Sequence, residues 1–379
     1  MLSSLRRILY SRREDWDMYF ESDWREALNL LARQPFDVLI SEVFENGEQT
    51  EGFLGTVKKK YPGMARIILS GKTGYDISLR AARLAHQFLS KPCSPEELTL
   101  AVSNATALNL ALENRELKKT VAGMQSLPSM PTLYLDIVEE LKKKNVSPER
   151  IGKIISQDMA MTAKVLQLVN SAFFALPRQV SDPAQAVMLL GIETIRDLVL
   201  SISLFSYIDK VTMARLGLTT LWNHSMQVAT LSRRVMSQMK GSKEMCGYSF
   251  IAGLLHDVGM LILGYNYPSQ SYSSFILSVT RNMERWEAER QIFGVDHAQL
   301  GAYLFSLWGF PEPVITAVAF HHHPNLFAGS KKTPLTAVHI ANVLDHNYHG
   351  IQAYGFKTPD FSPGVLDAAG IDLKALEAV

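Results

Sequence analysis

Residues 251–263, IAGLLHDVGMLIL, set His256 and Asp257 inside an otherwise apolar run. A buried charge is costly unless something satisfies it, so this pair needs partners from elsewhere in the chain. Nine of the ten histidines fall between His224 and His349. Asp296 directly precedes His297, and His321, His322 and His323 stand together before Pro324. Imidazole and carboxylate are the donor set of Zn, Mn and Fe ions. The same residues can also form a polar cluster satisfied from within, the commoner fate of a histidine in a core, with Asp296, His297, His321 and His322 completing it. On that account His321–His323 end a helix, where imidazoles meet the last carbonyls and the negative end of the helix dipole.

The elements that must position these groups are helical. From SLPSMPTL (126–133) onward no segment reads as a strand. TLYLDIVEELKKK, PERIGKIISQD, MTAKVLQLVNSAFF, AQAVMLLG and ETIRDLVLSISLF carry apolar residues at helical spacing. Ser147-Pro148 and Asp182-Pro183 are cap-and-first-turn signals between them. Asn170-Ser171 marks a helix end, with Asn170 as a polar anchor for the following turn. Met188, Trp222 and Trp308 are expected in the core. A tail containing Gly and Pro follows Gly350.

The first hundred residues read differently. RILYS, WDMYFE, DVLIS, RIILS and QFLS are strand-like, and WREALNLLARQ, TEGFLGTVKKKY and DISLRAARLA between them are helical. Ser94-Pro95-Glu96-Glu97 starts one more helix. Alternating strands and helices imply a parallel sheet covered on both faces. RILYS and WDMYFE are too close in sequence for a parallel crossover, so if adjacent they are expected to form an antiparallel hairpin. Residues 104–125 read as one polar helix in which Leu110, Leu117 and Met124 recur every seven residues. That repeat suits either a short homodimer seam or a rigid linker. The expected organisation is residues 1–103, a linker helix 104–126, an all-α domain 127–350 and a tail 351–379.

Composition narrows the function classes. The net charge is +1, hydrophobic content 47% and charged content 20%. With no basic stripe, nucleic acid is not an expected partner. Cys93 and Cys246 are isolated, which fits a reducing cytoplasm. Apolar segments such as Leu198–Phe205 are too short to span a bilayer, and the start MLSSLRRILYSRRE has no stretch of signal-peptide length. A cytoplasmic protein without membrane contact is expected.

FDVLISEVFENG, IILSGKTG and QFLSKPCSPEEL, in this order and spacing, resemble a response-regulator receiver domain. The resemblance implies a flavodoxin-like α/β fold whose first helix is missing here. It assigns Glu42 to the phosphoacceptor position, Ser70 to the hydroxyl that contacts the phosphoryl group, and Lys91, before Pro92, to the lysine that precedes a frequently cis proline. The acidic pair that holds Mg²⁺ is replaced by Ser11-Arg12-Arg13, so phosphorylation is not expected. Glu42 either pairs with Lys91 in imitation of the phosphorylated state or is neutral drift.

SLPSMPTL, SQDMAMTAKVLQLVNSAFFALP, QAVMLLGIETIRDLVLS, LWNHSMQVA, GLLHDVGMLIL, GVDHAQLGAYLFSLWGFPEPV and AFHHHP together resemble the HDOD family, the HD-related output domain of bacterial signalling proteins. The resemblance implies an all-α fold and a regulatory output through protein contact. Against metal-dependent HD phosphohydrolases, His224 takes the place of the first ligand and His256–Asp257 of the central pair. Asn342 replaces the late Asp, Met260 replaces a phosphate-contacting Lys, and the His-His-Glu and Gly-Tyr-Pro motifs of the HD-GYP subclass are absent. The expectation is a bacterial signal-transduction regulator without catalytic turnover, in which His224, His256, Asp257 and Asn342 are a vestigial metal site. Its expected partners are signalling proteins, such as histidine kinases or cyclic-dinucleotide-turnover proteins. No cofactor is expected; the alternative is a phosphohydrolase acting on a nucleotide or cyclic dinucleotide with a divalent Mn, Fe or Zn ion.

Overall fold

The computed structural model describes the chain except residues 1, 43–46, 62–63, 71–86, 92, 97, 100, 103–114, 125–126, 144, 172–173, 175, 177–178, 207, 327–331, 349–356 and 372–379. The helix expected at 76–85, Pro92 and the first half of the expected linker helix lie outside the described residues. Contacts divide the chain into two compact units, 1–130 with 306–309, and 131–305 with 310–379.

The first unit holds a three-stranded parallel sheet in the order β1-β2-β3. Its strands are β1 (Val38–Glu42), β2 (Ala65–Ser70) and β3 (Gln87–Ser90). Ile40 pairs with Ile67, and Ile68 with Phe88. Strand side chains alternate between faces. Ile68 packs with Leu31, Phe53, Leu54 and Val57, from helices Trp24–Arg33 and Gly47–Lys60. Its neighbours Ile67 and Leu69 pack with Leu5, Leu9, Leu98, Ala101 and Val102. Both faces of the sheet are therefore covered. The helix begun at Ser94 is present, with helical residues at 95–96, 98–99 and 101–102.

Two expected strands are absent. RILYS belongs to helix Leu2–Ile8 and a following turn of 3-10 helix, Tyr10–Arg12. Leu5 and Leu9, four residues apart, are both buried and pack on Leu69, so the apolar period there is helical. WDMYFE forms no ladder. Trp16, Met18 and Phe20 pack against the same cluster without strand pairing, and the expected hairpin falls with them. The linker helix is described as Arg115–Ala122, and Leu117, Val121 and Met124 are buried.

In the second unit all regular elements among the described residues are helices. Ser147 accepts a hydrogen bond from the Arg150 amide, and Asp182 one from the Ala184 amide, so both Pro-led helices are capped. Met188 is exposed and Trp308 buried, so the core expectation fails for Met188, which lies on the outer side of its helix. Helices Leu221–Gln238 and Lys243–Leu255 meet along small residues. A Cβ on Gly253 would lie 2.7 Å from Ser232 Oγ and 2.9 Å from the Val228 carbonyl, and Ser232 Oγ donates to the Ser249 carbonyl at 2.8 Å.

The run Lys243–Asn266 is 24 residues long and its most apolar 18-residue window has a mean hydropathy of 1.5, enough to cross a membrane by length and composition. That corrects the expectation that every apolar segment is too short. However, 78% of its most apolar window is buried in the fold, and it breaks into two helices at His256–Asp257. The tail folds back: Val365 and Ala369, in helix Val365–Ala369, pack with Val235, Met236, Ile340 and Leu344.

Candidate metal centre

His256 and His321 are placed by the same local device. Each caps the C-terminus of a helix and donates its Nδ1–H to the carbonyl three residues back, His256 to Gly253 at 2.8 Å and His321 to Val318 at 2.9 Å. Helix ends leave such carbonyls without partners, so this bond satisfies the backbone and turns each Nε2 the other way. His224 and His297 are oriented by carboxylates instead. His224 Nδ1 lies 2.6 Å from Asp345 Oδ2, and His297 Nδ1 lies 2.6 Å from Glu289 Oε2.

All four Nε2 atoms turn toward Asp257. Its Oδ2 lies 3.3 Å from His256 Nε2 and 3.6 Å from His224 Nε2. Its Oδ1 lies 3.1 Å from His297 Nε2 and 3.6 Å from His321 Nε2. Asp257 starts helix Val258–Asn266 but its side chain does not cap that helix, which leaves both oxygens to the site. Two sets of donor atoms result, each within 4.8 Å of one another: His224, His256 and Asp257; and Asp257, His297, His321 and His322.

The cluster does not satisfy itself. His224 Nε2 and His256 Nε2 are 3.2 Å apart, whereas the contact of His297 Nε2 with His322 Nε2 at 2.9 Å is bridged when His297 carries its second proton. In neutral rings with Nδ1 protonated, the facing Nε2 atoms of His224 and His256 both carry lone pairs. His321 Nε2, His322 Nδ1 and Asn342 Oδ1 are buried without a hydrogen-bond partner. Burial works against charge on Asp257, yet His256 and His297 hold its carboxyl well below the ordinary range. Burial likewise disfavours a cation at His297, but Glu289 and Asp257 outweigh it and keep that ring protonated well above its usual range. Burial lowers His321 to about 4, and it holds His322 well below the usual imidazole range. Convergent Nε2 lone pairs, a central carboxylate and rings pinned from behind by carboxylates and carbonyls are the donor set and outer support of transition-metal sites. The residues fit divalent ions.

A cavity of about 60 Å³ adjoins the cluster and is lined by His224, Asp257, His322, Asn342, Arg285 and Lys357, among others. On this scale a water needs roughly 10–15 Å³, so the cavity admits a few waters or a small anion. Lys357, from the tail, lies 3.8 Å from Glu284 Oε1, and Trp286 Nε1 donates to Glu284 Oε2 at 2.8 Å.

The structure brings together His224, His256, Asp257, His297, His321 and His322, with Asn342 and Met260 on the cavity wall. Asp296 points elsewhere. It accepts from Arg290 Nε at 2.7 Å and from the Gln299 amide at 2.8 Å, capping helix His297–Leu307. Sequence reasoning missed Asp345, Glu289, Arg285 and Lys357. Asp345 follows Asn342 by three residues, one helical turn, a spacing that could have found it; Glu289 and Lys357 are joined to the site only by the fold. In the first unit Glu42 ends β1, Ser70 ends β2 and Lys91 follows β3, and Glu42 and Lys91 form an ion pair.

The HDOD domain model matches residues 127–324. A protein of Treponema pallidum (strain Nichols) is 26% identical over 237 residues, covering 62% of this chain and 45% of its own length. A protein of Rickettsia bellii (strain RML369-C) that carries an NtrX-like response-regulator name is 29% identical over 159 residues, 39% of this chain and 33% of its own. The chain thus spans less than half the length of these two relatives. Among solved structures, an HDOD domain protein of Geobacter sulfurreducens has a TM-score of 0.57 at 22% identity, covering 71% of this chain and 93% of that one. A Marinobacter aquaeolei VT8 protein with a signal-transduction name has a TM-score of 0.53 at 17% identity, covering 93% of this chain and 83% of that one. At these identities the two structures establish the fold alone.

Proposed function

The chain belongs to the HDOD family, and from that premise we propose that it is a signal-transduction protein whose helical unit is organised by a divalent-metal centre on Asp257. One observation carries the reading: each oxygen of a single buried carboxylate faces two imidazole Nε2 atoms, and the Nδ1 of each of those four rings, His224, His256, His297 and His321, is already engaged. His224 and His256 with Oδ2 make one site, and His297, His321 and His322 with Oδ1 make a second. Output passes to a partner signalling protein by contact, in keeping with the family, and the metal holds together five helices and loops that the contact surface depends on.

A second reading, hydrolysis of a phosphoester, is favoured by Arg285 and Lys357 beside the cluster. Bound divalent ions would lower the pKa of water and neutralise charge on a phosphoryl oxygen. Arg285 and Lys357 would hold the anion, Asp257 would fix the two halves of the site relative to each other, and Trp286 would shield the cavity from bulk water. Asn342 and Met260 supply no charge to this task.

Metal analysis of the purified full chain, joined to a phosphodiesterase assay with bis-p-nitrophenyl phosphate, tests both. The expected result is stoichiometric Mn, Fe or Zn that falls in Asp257→Asn and His256→Ala. Absence of metal in protein grown and purified with each ion overturns the proposal. Turnover that disappears in both variants selects the hydrolytic reading; metal without turnover selects the contact reading.

A further inference from the structure

The helix Pro334–Tyr348 presents two residues to the centre one turn apart. Asn342 lines the cavity beside His224, with its buried Oδ1 unpartnered. An amide there is neutral and adds nothing to the charge of a cation site. Asp345 sits behind His224, its Oδ2 2.6 Å from Nδ1, and both side chains are buried. The far nitrogen of that ring, Nε2, faces His256 Nε2 at 3.2 Å and Asp257 Oδ2 at 3.6 Å. The negative charge therefore reaches the first site through the ring rather than by direct contact. The same arrangement recurs at the second site, where Glu289 stands 2.6 Å behind His297.

Resting on the metal reading above, we infer that Asp345 is a positioning residue that makes His224 a metal ligand, and that its carboxylate replaces the charge Asn342 does not supply. The carboxylate fixes the ring as the Nδ1–H tautomer, aims Nε2 at the site and sets a negative charge behind the ring that faces the cation. Carboxylates in this position typically contribute 10–100-fold in metal affinity. Orientation alone would need only an acceptor; charge needs the carboxylate. The two contributions can be separated, because an amide at 345 keeps an acceptor oxygen and loses the charge.

The test uses the full chain stripped of metal, with Co²⁺ as probe, chelator competition for affinity and visible absorption for ligand geometry. Asp345→Asn is expected to weaken Co²⁺ binding at the His224–His256 site by about 10–100-fold, with the melting temperature of the metal-free chain little changed. Asn342→Asp added to Asp345→Asn is expected to restore at least tenfold, because it returns a carboxylate to the same helix face. Asn342→Asp alone is expected to gain less than it does in the Asp345→Asn background. Three results overturn the inference while leaving the metal reading intact: Asp345→Asn within twofold of wild type; lost affinity that Asn342→Asp does not restore; or an Asp345→Asn chain that fails to fold without metal when wild type folds. A wild-type chain that takes up no Co²⁺ overturns both.

Discussion

Gly259 is where the fold and the candidate site are most tightly joined, and its replacement by alanine is a sharp test. It lies two residues after Asp257, in the first turn of helix Val258–Asn266. A Cβ at Gly259 would fall 2.0 Å from the His297 carbonyl oxygen, 2.7 Å from its carbon and 2.8 Å from its Cα. An ordinary carbon–oxygen contact is about 3.3 Å, so the two backbones must part by about 1.3 Å. No side-chain rotation relieves the clash, since all three atoms belong to the backbone of His297. Overpacking of this kind costs about 1–3 kcal/mol and sometimes more; a backbone contact belongs at the upper end, about 3 kcal/mol. For a unit of this size that lowers the melting temperature by about 6–12 °C. The same displacement draws His297 Nε2 away from Asp257 Oδ1, now 3.1 Å distant. Metal–imidazole bonds of about 2.0–2.1 Å do not tolerate a shift of that size. Gly259→Ala is therefore expected to lose metal from the His297 side and retain it at His224 and His256. Urea melts and metal content per chain measure both effects. A variant within about 0.5 kcal/mol of wild type with unchanged metal content would refute the reasoning.

Three other outcomes follow from separate parts of the chain. Asn170 donates to the Leu166 and Val180 carbonyls at 2.8 and 2.7 Å and accepts from the Val180 amide at 2.7 Å; Asn170→Ala is expected to cost about 1–3 kcal/mol in urea melts. Asp197 is pushed up to about 6 by burial, with Arg196 partly opposing the shift. The folded state then holds that proton more tightly than the unfolded chain does, so this contribution is full below about pH 4 and is lost as pH rises through about 6. Asp197→Asn should flatten the fall in stability between urea melts at pH 4.5 and pH 7. The ion pair between Glu42 and Lys91 is partly exposed, so Glu42→Gln should change stability by less than about 1 kcal/mol, and beryllofluoride should leave the intrinsic fluorescence of the wild-type chain unchanged.

The sheet core was legible because DVLIS, RIILS and QFLS are short apolar runs bounded by charge, Gly or Pro, and buried parallel strands leave little room for another reading. WDMYFE shows the limit. Its period of two is real, and Trp16, Met18 and Phe20 do pack together, but alternation records which side is buried and says nothing about ladder hydrogen bonds. RILYS failed for a related reason: five residues cannot distinguish periods of 2 and 3.6, and Leu5, just outside the window, supplied the helical partner of Leu9. At the site, histidine density located the right region. It did not reveal that Asp296 would turn to Arg290 while Glu289 and Asp345 stood behind the rings. Those roles depend on which helix faces which, and no local pattern encodes that.

The protons of the cluster lead to a last prediction. His224, His256, His297 and His321 each spend Nδ1–H on an acceptor, so four Nε2 positions converge on one carboxylate. Without a metal, lone pairs facing one another are relieved only by placing extra protons between them. Those protons make buried cations, which Asp257, Glu289 and Asp345 must balance. His297 is the ring held protonated by its flanking carboxylates, whereas His321, lowered to about 4, stays neutral near pH 7. A divalent ion needs the lone pair that this proton occupies, so metal uptake must expel it. Zinc added to the metal-free chain in weakly buffered solution at pH 7 should release about one proton from the His297 side as that site fills, and affinity there should fall as pH is lowered. His297→Gln removes the proton and should abolish that release while leaving uptake at His224 and His256. Filling of both sites without proton release would mean that the rings reach Asp257 already neutral, and the charge balance argued for the cluster would be wrong.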